Sequence, residues 1–164
     1  AKRMEVLILN KLPAVDYMDD ALGTFKSLEY FTMHNLAISR LPSSFGQLTN
    51  LQYFSWLPPF PQSEIKAFPE LCELTNLRGL RMYHSTEITE LPLCVADLQH
   101  LEVVRIQNHQ SLVQIPIGMF GLPELRLLDL ELTDQLTFEA SLNYSGISDI
   151  SQYSFIYQPS ARYV

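Results

Sequence analysis

Four histidines (His34, His84, His100, His109) and two cysteines (Cys72, Cys94) carry the side chains best suited to acid–base, nucleophilic or metal chemistry. Their spacing supports none of it. No two histidines stand at a metal-ligand separation, and the cysteines form no CxxC pair. The sequence has no HExxH, no GxSxG and no Gly-rich phosphate loop. The expectation is therefore no catalytic residue, no metal and no cofactor, and a chain that is not an enzyme. The histidines read as surface or turn residues, His34 projecting from a sheet face and His100 ending a segment on the opposite side. A Cys72–Cys94 disulfide is open to the sequence, but two half-buried thiols in a reducing compartment are the expectation. That places the chain inside a cell rather than outside it. One formal glycosylation sequon, Asn143-Tyr144-Ser145, does not shift that placement.

Composition narrows the class. The chain has 164 residues, 47% hydrophobic and 18% charged, with 11 basic against 18 acidic side chains for a net charge of -7. It is long enough for one domain or one repeat array with a real core. Its apolar fraction excludes intrinsic disorder, and no apolar run reaches the roughly 18 residues of a membrane span. The negative charge argues against a nucleic-acid surface, because phosphate binding favours net positive charge. The start at Ala1-Lys2-Arg3, followed by a short apolar run over 4–9, is no signal peptide. It reads as a fragment of a longer chain that begins inside a strand.

The elements that position these residues come from an internal repeat. Rows starting at 4, 28, 51, 77, 101 and 125 share an L-x-x-L-x-L pattern and are spaced by 24, 23, 26, 24 and 24 residues. The triplets are Met4/Leu7/Leu9, Leu28/Phe31/Met33, Leu51/Phe54/Trp56, Leu77/Leu80/Met82, Leu101/Val104/Ile106 and Leu125/Leu128/Leu130. Four rows then carry an apolar residue and a proline: Leu41-Pro42, Phe68-Pro69, Leu91-Pro92 and Ile115-Pro116. An apolar pair follows each, as Phe45/Leu48, Leu71/Leu74, Val95/Leu98 and Met119/Leu122. The alternating stretch predicts a short strand with one buried face, and the proline a turn into a 3₁₀ or short helical segment. No row buries its apolar set alone, so stacked rows must share one core.

Residues 4–132 resemble the leucine-rich repeat family. The rows are similar to those of intracellular members, such as plant nucleotide-binding immune receptors and Ras-group repeat proteins. The resemblance implies an α/β solenoid with short parallel strands on a concave face and 3₁₀, short helical or irregular segments on the convex side. The array is assigned to 1–132, and 133–164 to a degenerate last repeat, a cap or an extended tail.

The chain departs from the family in several places. The position where the family carries an asparagine ladder reads Leu12, Leu36, Pro59, Ser85, His109 and Thr133. The backbone groups there must find other partners, since unpaired buried ones are costly. The third row is longer and holds Pro58-Pro59-Phe60-Pro61-Gln62-Ser63, expected as a protruding loop. In the first row Asp16-Tyr17-Met18-Asp19-Asp20 replaces the apolar–proline word, which predicts a short acidic helix there. Trp56 occupies a core position, so its indole N–H is expected to find a turn carbonyl.

Side chains between the core leucines must point outward in three columns. These are Val6, Tyr30, Tyr53, Gly79, Val103, Leu127; Ile8, Thr32, Ser55, Arg81, Arg105, Asp129; and Asn10, His34, Leu57, Tyr83, Gln107, Glu131. Tyrosine and arginine are typical of binding hot spots. The candidate partner-binding residues are Tyr30, His34, Tyr53, Leu57, Arg81, Tyr83, Arg105, Gln107, Asp129 and Glu131. Arg81 and Arg105 repel as neighbours unless neutralised. Either Asp129 and Glu131 pair with Arg105, or the arginines await a partner's acidic group. The expected function is non-catalytic protein–protein interaction through the concave sheet, as the repeat region of a larger intracellular recognition or receptor protein. The partner is a protein or another domain of the same chain, with no nucleic acid and no direct membrane insertion. The alternative is a scaffold or spacer subunit of a large stable assembly.

Overall fold

A computed structural model describes residues 3–11, 17–59, 65–130 and 154–156, the last three by backbone alone. Strands β1 (Val6–Asn10), β2 (Tyr30–His34), β3 (Tyr53–Leu57), β4 (Gly79–Tyr83), β5 (Val103–Gln107), β6 (Leu127–Asp129) and β7 (Ser154–Ile156) form one parallel sheet in chain order. Between successive strands run 3₁₀ helices η1 (Asp20–Thr24), η2 (Ser43–Gln47), η3 (Pro69–Glu73), η4 (Leu93–Asp97) and η5 (Ile117–Gly121). This is the leucine-rich repeat fold, one strand and one 3₁₀ turn to a row.

Each row closes in the same way. The N–H of its first leucine donates to a carbonyl three residues back: Leu28 to Phe25, Leu51 to Leu48, Leu77 to Leu74, Leu101 to Leu98 and Leu125 to Leu122. The helix before that turn starts where proline stops extended pairing. Pro42, Pro92 and Pro116 stand just ahead of η2, η4 and η5, and their carbonyls accept the first 3₁₀ hydrogen bonds, from the N–H groups of Phe45, Val95 and Met119. In the first row Asp19 takes this place, and its carboxylate also accepts from Ala21 N at 2.6 Å. The acidic segment therefore caps the helix more than it forms it, and the helix begins at Asp20. Asp16 lies outside the described residues.

The core is continuous from row to row. In the third row Leu51, Phe54, Trp56, Ile65, Phe68, Leu71 and Leu74 are all buried. Phe31, Phe45, Phe54, Phe68 and Trp56 make a chain of ring contacts 4.9 to 6.0 Å apart. Trp56 is flanked in register by Met33 and Met82, unbranched side chains that adapt to its volume. Trp56 Nε1 has no hydrogen-bond partner among the described residues, and residues 60–64 of the turn after β3 lie outside them.

The missing asparagine ladder is replaced at two other places. The residue just after a strand adopts a left-handed conformation: Lys11, Asn35, His84 and Asn108 have φ of 49°, 53°, 54° and 58°. From there the N–H groups of Lys11, Asn35 and His84 donate to the last strand carbonyl of the next row, on His34, Leu57 and Gln107. After β3 the equivalent residue is Pro58, which has no N–H and a fixed negative φ. The β3–β4 register accordingly ends at Trp56↔Met82, whereas β2–β3 and β4–β5 each continue one pair further. Before the strands, Asn50 Nδ2 donates to Lys26 O at 2.6 Å and Asn76 Nδ2 to Thr49 O at 2.7 Å. At the family's ladder position, Ser85 Oγ instead accepts from the N–H groups of Glu87 and Ile88.

One expectation is corrected on the helical side. Cys72 in η3 and Cys94 in η4 form a disulfide across adjacent rows, with Cα atoms 5.3 Å apart, and are not free thiols. Cys72 follows the buried Leu71 and Cys94 precedes the buried Val95, so each stands at the seam between the rows. Of the two settings expected for the histidines, surface or turn, His109 takes the turn after β5, and its ring is fully buried. The proline-rich loop beyond Pro59, and the segment 133–164 except the backbone of β7, lie outside the described residues. β7 pairs in register with β6 at Leu127↔Ser154, Leu128↔Phe155 and Asp129↔Ile156.

Candidate protein-recognition face

The outward columns are set by strand register. Tyr30 pairs with Tyr53 and Tyr53 with Gly79; Ser55 pairs with Arg81, Arg81 with Arg105, and Arg105 with Asp129. The face therefore divides along the array. Its first rows expose Val6 (55%), Ile8 (65%), Tyr30 (42%) and Tyr53 (37%). Its middle rows carry Arg81, exposed, and Arg105, half-buried.

The two tyrosines stack with centroids 4.8 Å apart and planes 7° from parallel. Beside them the outward position is Gly79. A Cβ on Gly79 would lie 2.5 Å from Tyr53 Cδ1, so the ring occupies the space a side chain would need. A depression of about 310 Å³ adjoins them, lined by Tyr30, Thr32, Tyr53, Ser55, Gly79 and Arg81. Gly79 stood in the outward column as one position among six. Its role was readable only from its being the one position there without a side chain.

The arginines differ in their surroundings. Arg105 Nε stands 3.9 Å from Asp129 Oδ2, a long ion pair. The same carboxylate oxygen accepts from Gln107 Nε2 at 2.7 Å. Asp129 is only 4% exposed, so of the two readings open to the sequence it fits the internal counter-ion of Arg105 better than a partner contact. Arg81 has no ion pair among the described residues; its in-register neighbours are Ser55 and Arg105. Glu131, the other acid expected to meet Arg105, lies outside the described residues.

The third column is less exposed. His34, Leu57, Tyr83 and Gln107 are half-buried. His34 Nδ1 lies 3.3 Å from Asn10 Oδ1 and 3.2 Å from Asn35 Nδ2, so its ring is tied to the strand ends. Tyr83 and His84 rings stand 6.5 Å apart.

Away from this face, a polar rim runs past the strand starts. Arg78 Nη1 donates to Glu102 Oε1, and this bond, ahead of the opposing desolvation, raises the Arg78 pKa. Glu124 bridges from Arg78 at 4.0 Å to His100 Nδ1 at 3.3 Å. The buried His109 is the other perturbed group. Desolvation lowers its pKa to about 4, only partly offset by the Met82 backbone and reinforced by His84. Neither ring nitrogen has a hydrogen-bond partner of good geometry among the described residues. No group of three or more His, Cys, Asp or Glu side chains is arranged to hold a metal among the described residues. No described helix is long and apolar enough to cross a membrane.

No protein-family model matches the chain. The chain is similar to the volume-regulated anion channel subunit LRRC8B of Mus musculus, 28% identical over 132 residues, which is 79% of this chain and 16% of the relative. The Homo sapiens protein of the same name is 26% identical over the same length. The chain thus spans about a sixth of the curated relatives it matches. Among solved structures, the leucine-rich repeat domain of the type III effector XopL superposes with a TM-score of 0.67 at 25% identity, covering 82% of this chain and 46% of that one. A leucine-rich repeat protein of Leptospira interrogans gives a TM-score of 0.67 at 21% identity, over 90% of this chain and 36% of its own. Internalin C2 of Listeria monocytogenes gives 0.60 at 18% identity, over 85% and 55%.

Proposed function

We propose that this leucine-rich repeat solenoid is a protein-recognition module that binds through its concave sheet face and acts by binding, not by catalysis. The observation that carries the reading is the asymmetric face: exposed Val6, Ile8, Tyr30 and Tyr53 adjoin exposed Arg81 on one rigid sheet. Apolar and aromatic side chains beside a cation are the composition of a protein contact core. A regular sheet presents them on an already ordered backbone, so binding must order the side chains but not a loop. The partner is a protein or another domain of the same longer chain, and the module belongs to a larger recognition or receptor protein.

The test is a pull-down from the native source with the full-length protein and its Tyr30/Tyr53/Arg81/Arg105→Ala variant. Loss of a specific partner with unchanged circular dichroism supports the reading. Retention of that partner overturns it and moves attention to the proline-rich loop. A second reading, a structural subunit of a larger assembly, is favoured by the similarity to a channel subunit. Partner contacts that survive the face variant and cover the helical side support it instead. As to compartment, the row style supports an intracellular protein, and the Cys72–Cys94 disulfide supports an oxidising one. Alkylation of free thiols in the native protein decides between them.

A further inference from the structure

We infer that the depression at Gly79 is a composite subsite for an extended acidic–apolar segment of the protein partner. An apolar side chain sits against Tyr30 and Tyr53, and a carboxylate two residues along the segment binds Arg81. The inference rests on the recognition reading above and gives it a ligand chemistry.

Three observations carry it. The first is shape. The stacked tyrosine rings form one aromatic wall, Tyr53 lies over Gly79 where a side chain would otherwise stand, and a depression of about 310 Å³ lies open between that wall and Arg81. The second is charge. Arg81 is exposed, lies in register with Arg105, and has no ion pair among the described residues. Asp129 is engaged by Arg105 and Gln107 and stands two strands from Arg81, about 10 Å at sheet spacing. In a chain of net charge -7, this patch carries a positive charge that no acid among the described residues compensates, which a carboxylate relieves and a neutral amide does not.

The third is spacing. Gly79 and Arg81 are two residues apart on one strand, about 7 Å, the same distance that separates side chains i and i+2 of an extended peptide. A segment running along β4 therefore reaches both parts of the subsite at once. The guanidinium accommodates a carboxylate in two parallel hydrogen bonds, and the tyrosine wall takes the apolar side chain. Stacked aromatics beside arginine also suit a single-stranded nucleic acid. The net negative charge opposes that occupant over longer range.

The experiment is selection of a phage-displayed random dodecapeptide library on the full-length protein. Affinities of the selected peptides are then measured by fluorescence anisotropy, and the Arg81→Gln variant is checked by circular dichroism. The expected result is enrichment of Asp or Glu two residues from Leu, Ile, Phe or Tyr. Changing that acid to its amide weakens wild-type binding about tenfold or more, and Arg81→Gln binding by less than about twofold. Four results overturn the inference: no enriched peptide, enrichment without an acid, an acid-to-amide effect equal in both proteins, or preference for a single-stranded dodecathymidylate over the peptides. None of these decides recognition by the face as a whole, which the pull-down with the four-residue variant judges separately.

Discussion

The ring of Tyr53 lies across Gly79 of the next row, with Tyr53 Cδ1 2.5 Å from where a Cβ would stand. The glycine is thus part of how the tyrosine is held. Gly79→Val should push the ring off its site and break its stack on Tyr30. An aromatic pair of this kind contributes about 1 kcal/mol beyond its buried area. We expect Gly79→Val to lose about that much in urea unfolding and to weaken partner binding. In a Tyr53→Ala background the same change should be neutral or stabilising, since valine suits a strand better than glycine. Equal effects in both backgrounds would show that the two residues are not coupled.

The disulfide should contribute more to stability than any single surface contact. Cys72 and Cys94 are 22 residues apart, and cross-linking a loop of that length stabilises by about 3 kcal/mol in the chain-entropy model. Cys72→Ser/Cys94→Ser, or treatment with dithiothreitol, should lower the urea midpoint accordingly. The single Cys72→Ser change should cost about as much as the pair. A midpoint unmoved by reductant would mean that the bond is absent in the native protein.

How far the sequence carries can be judged on these residues. The core triplets, the strand register and the neighbour relation of Tyr30 to Tyr53 follow from the row period, because side chains alternate and rows stack. The disulfide did not follow, because its cysteines stand at different offsets in their rows and meet only when η3 and η4 pack. The reading of His109 as a surface or turn residue left its burial open, because a turn position says nothing of how deeply the turn is tucked into the core. The pairing of Asp129 with Arg105 was one of two readings open to the sequence, but its burial was not legible, because a column position fixes direction, not exposure at the far rows. Gly79 carried no weight because its effect lies in what a neighbouring row places over it.

Asn76 has a role that its polar, exposed setting conceals. Its amide donates to Thr49 O at 2.7 Å and ties the third row to the second. Asn76→Ala should cost about 1 kcal/mol, the net value of one such bond. Asn76→Asp should cost more, because it replaces the donor with a charged acceptor facing a carbonyl oxygen. Urea unfolding of the two variants at neutral pH checks the order. Aspartate tolerated better than alanine would remove the ladder role from this residue.

The buried His109 should make the fold sensitive to acid. Burial favours the neutral ring, so its pKa falls from 6.5 to about 4 on folding. Above about pH 6.5 the ring is neutral in both folded and unfolded chains, and its contribution to stability is fully present. As the pH drops from there towards 4, the unfolded chain binds a proton that the folded chain refuses. Stability is then lost progressively, on the order of 3 kcal/mol in total, and the loss levels off below pH 4. Carboxylates titrate in the lower part of this range, so the informative quantity is the difference between wild type and a variant that lacks only this ring. His109→Leu keeps an apolar side chain in the site and removes two ring nitrogens that have no good hydrogen-bond partner among the described residues. Its stability relative to wild type should rise steadily between pH 6.5 and 4. If urea unfolding gives the same pH slope for both proteins, His109 is already protonated or solvated in the fold, and the buried neutral ring is wrong.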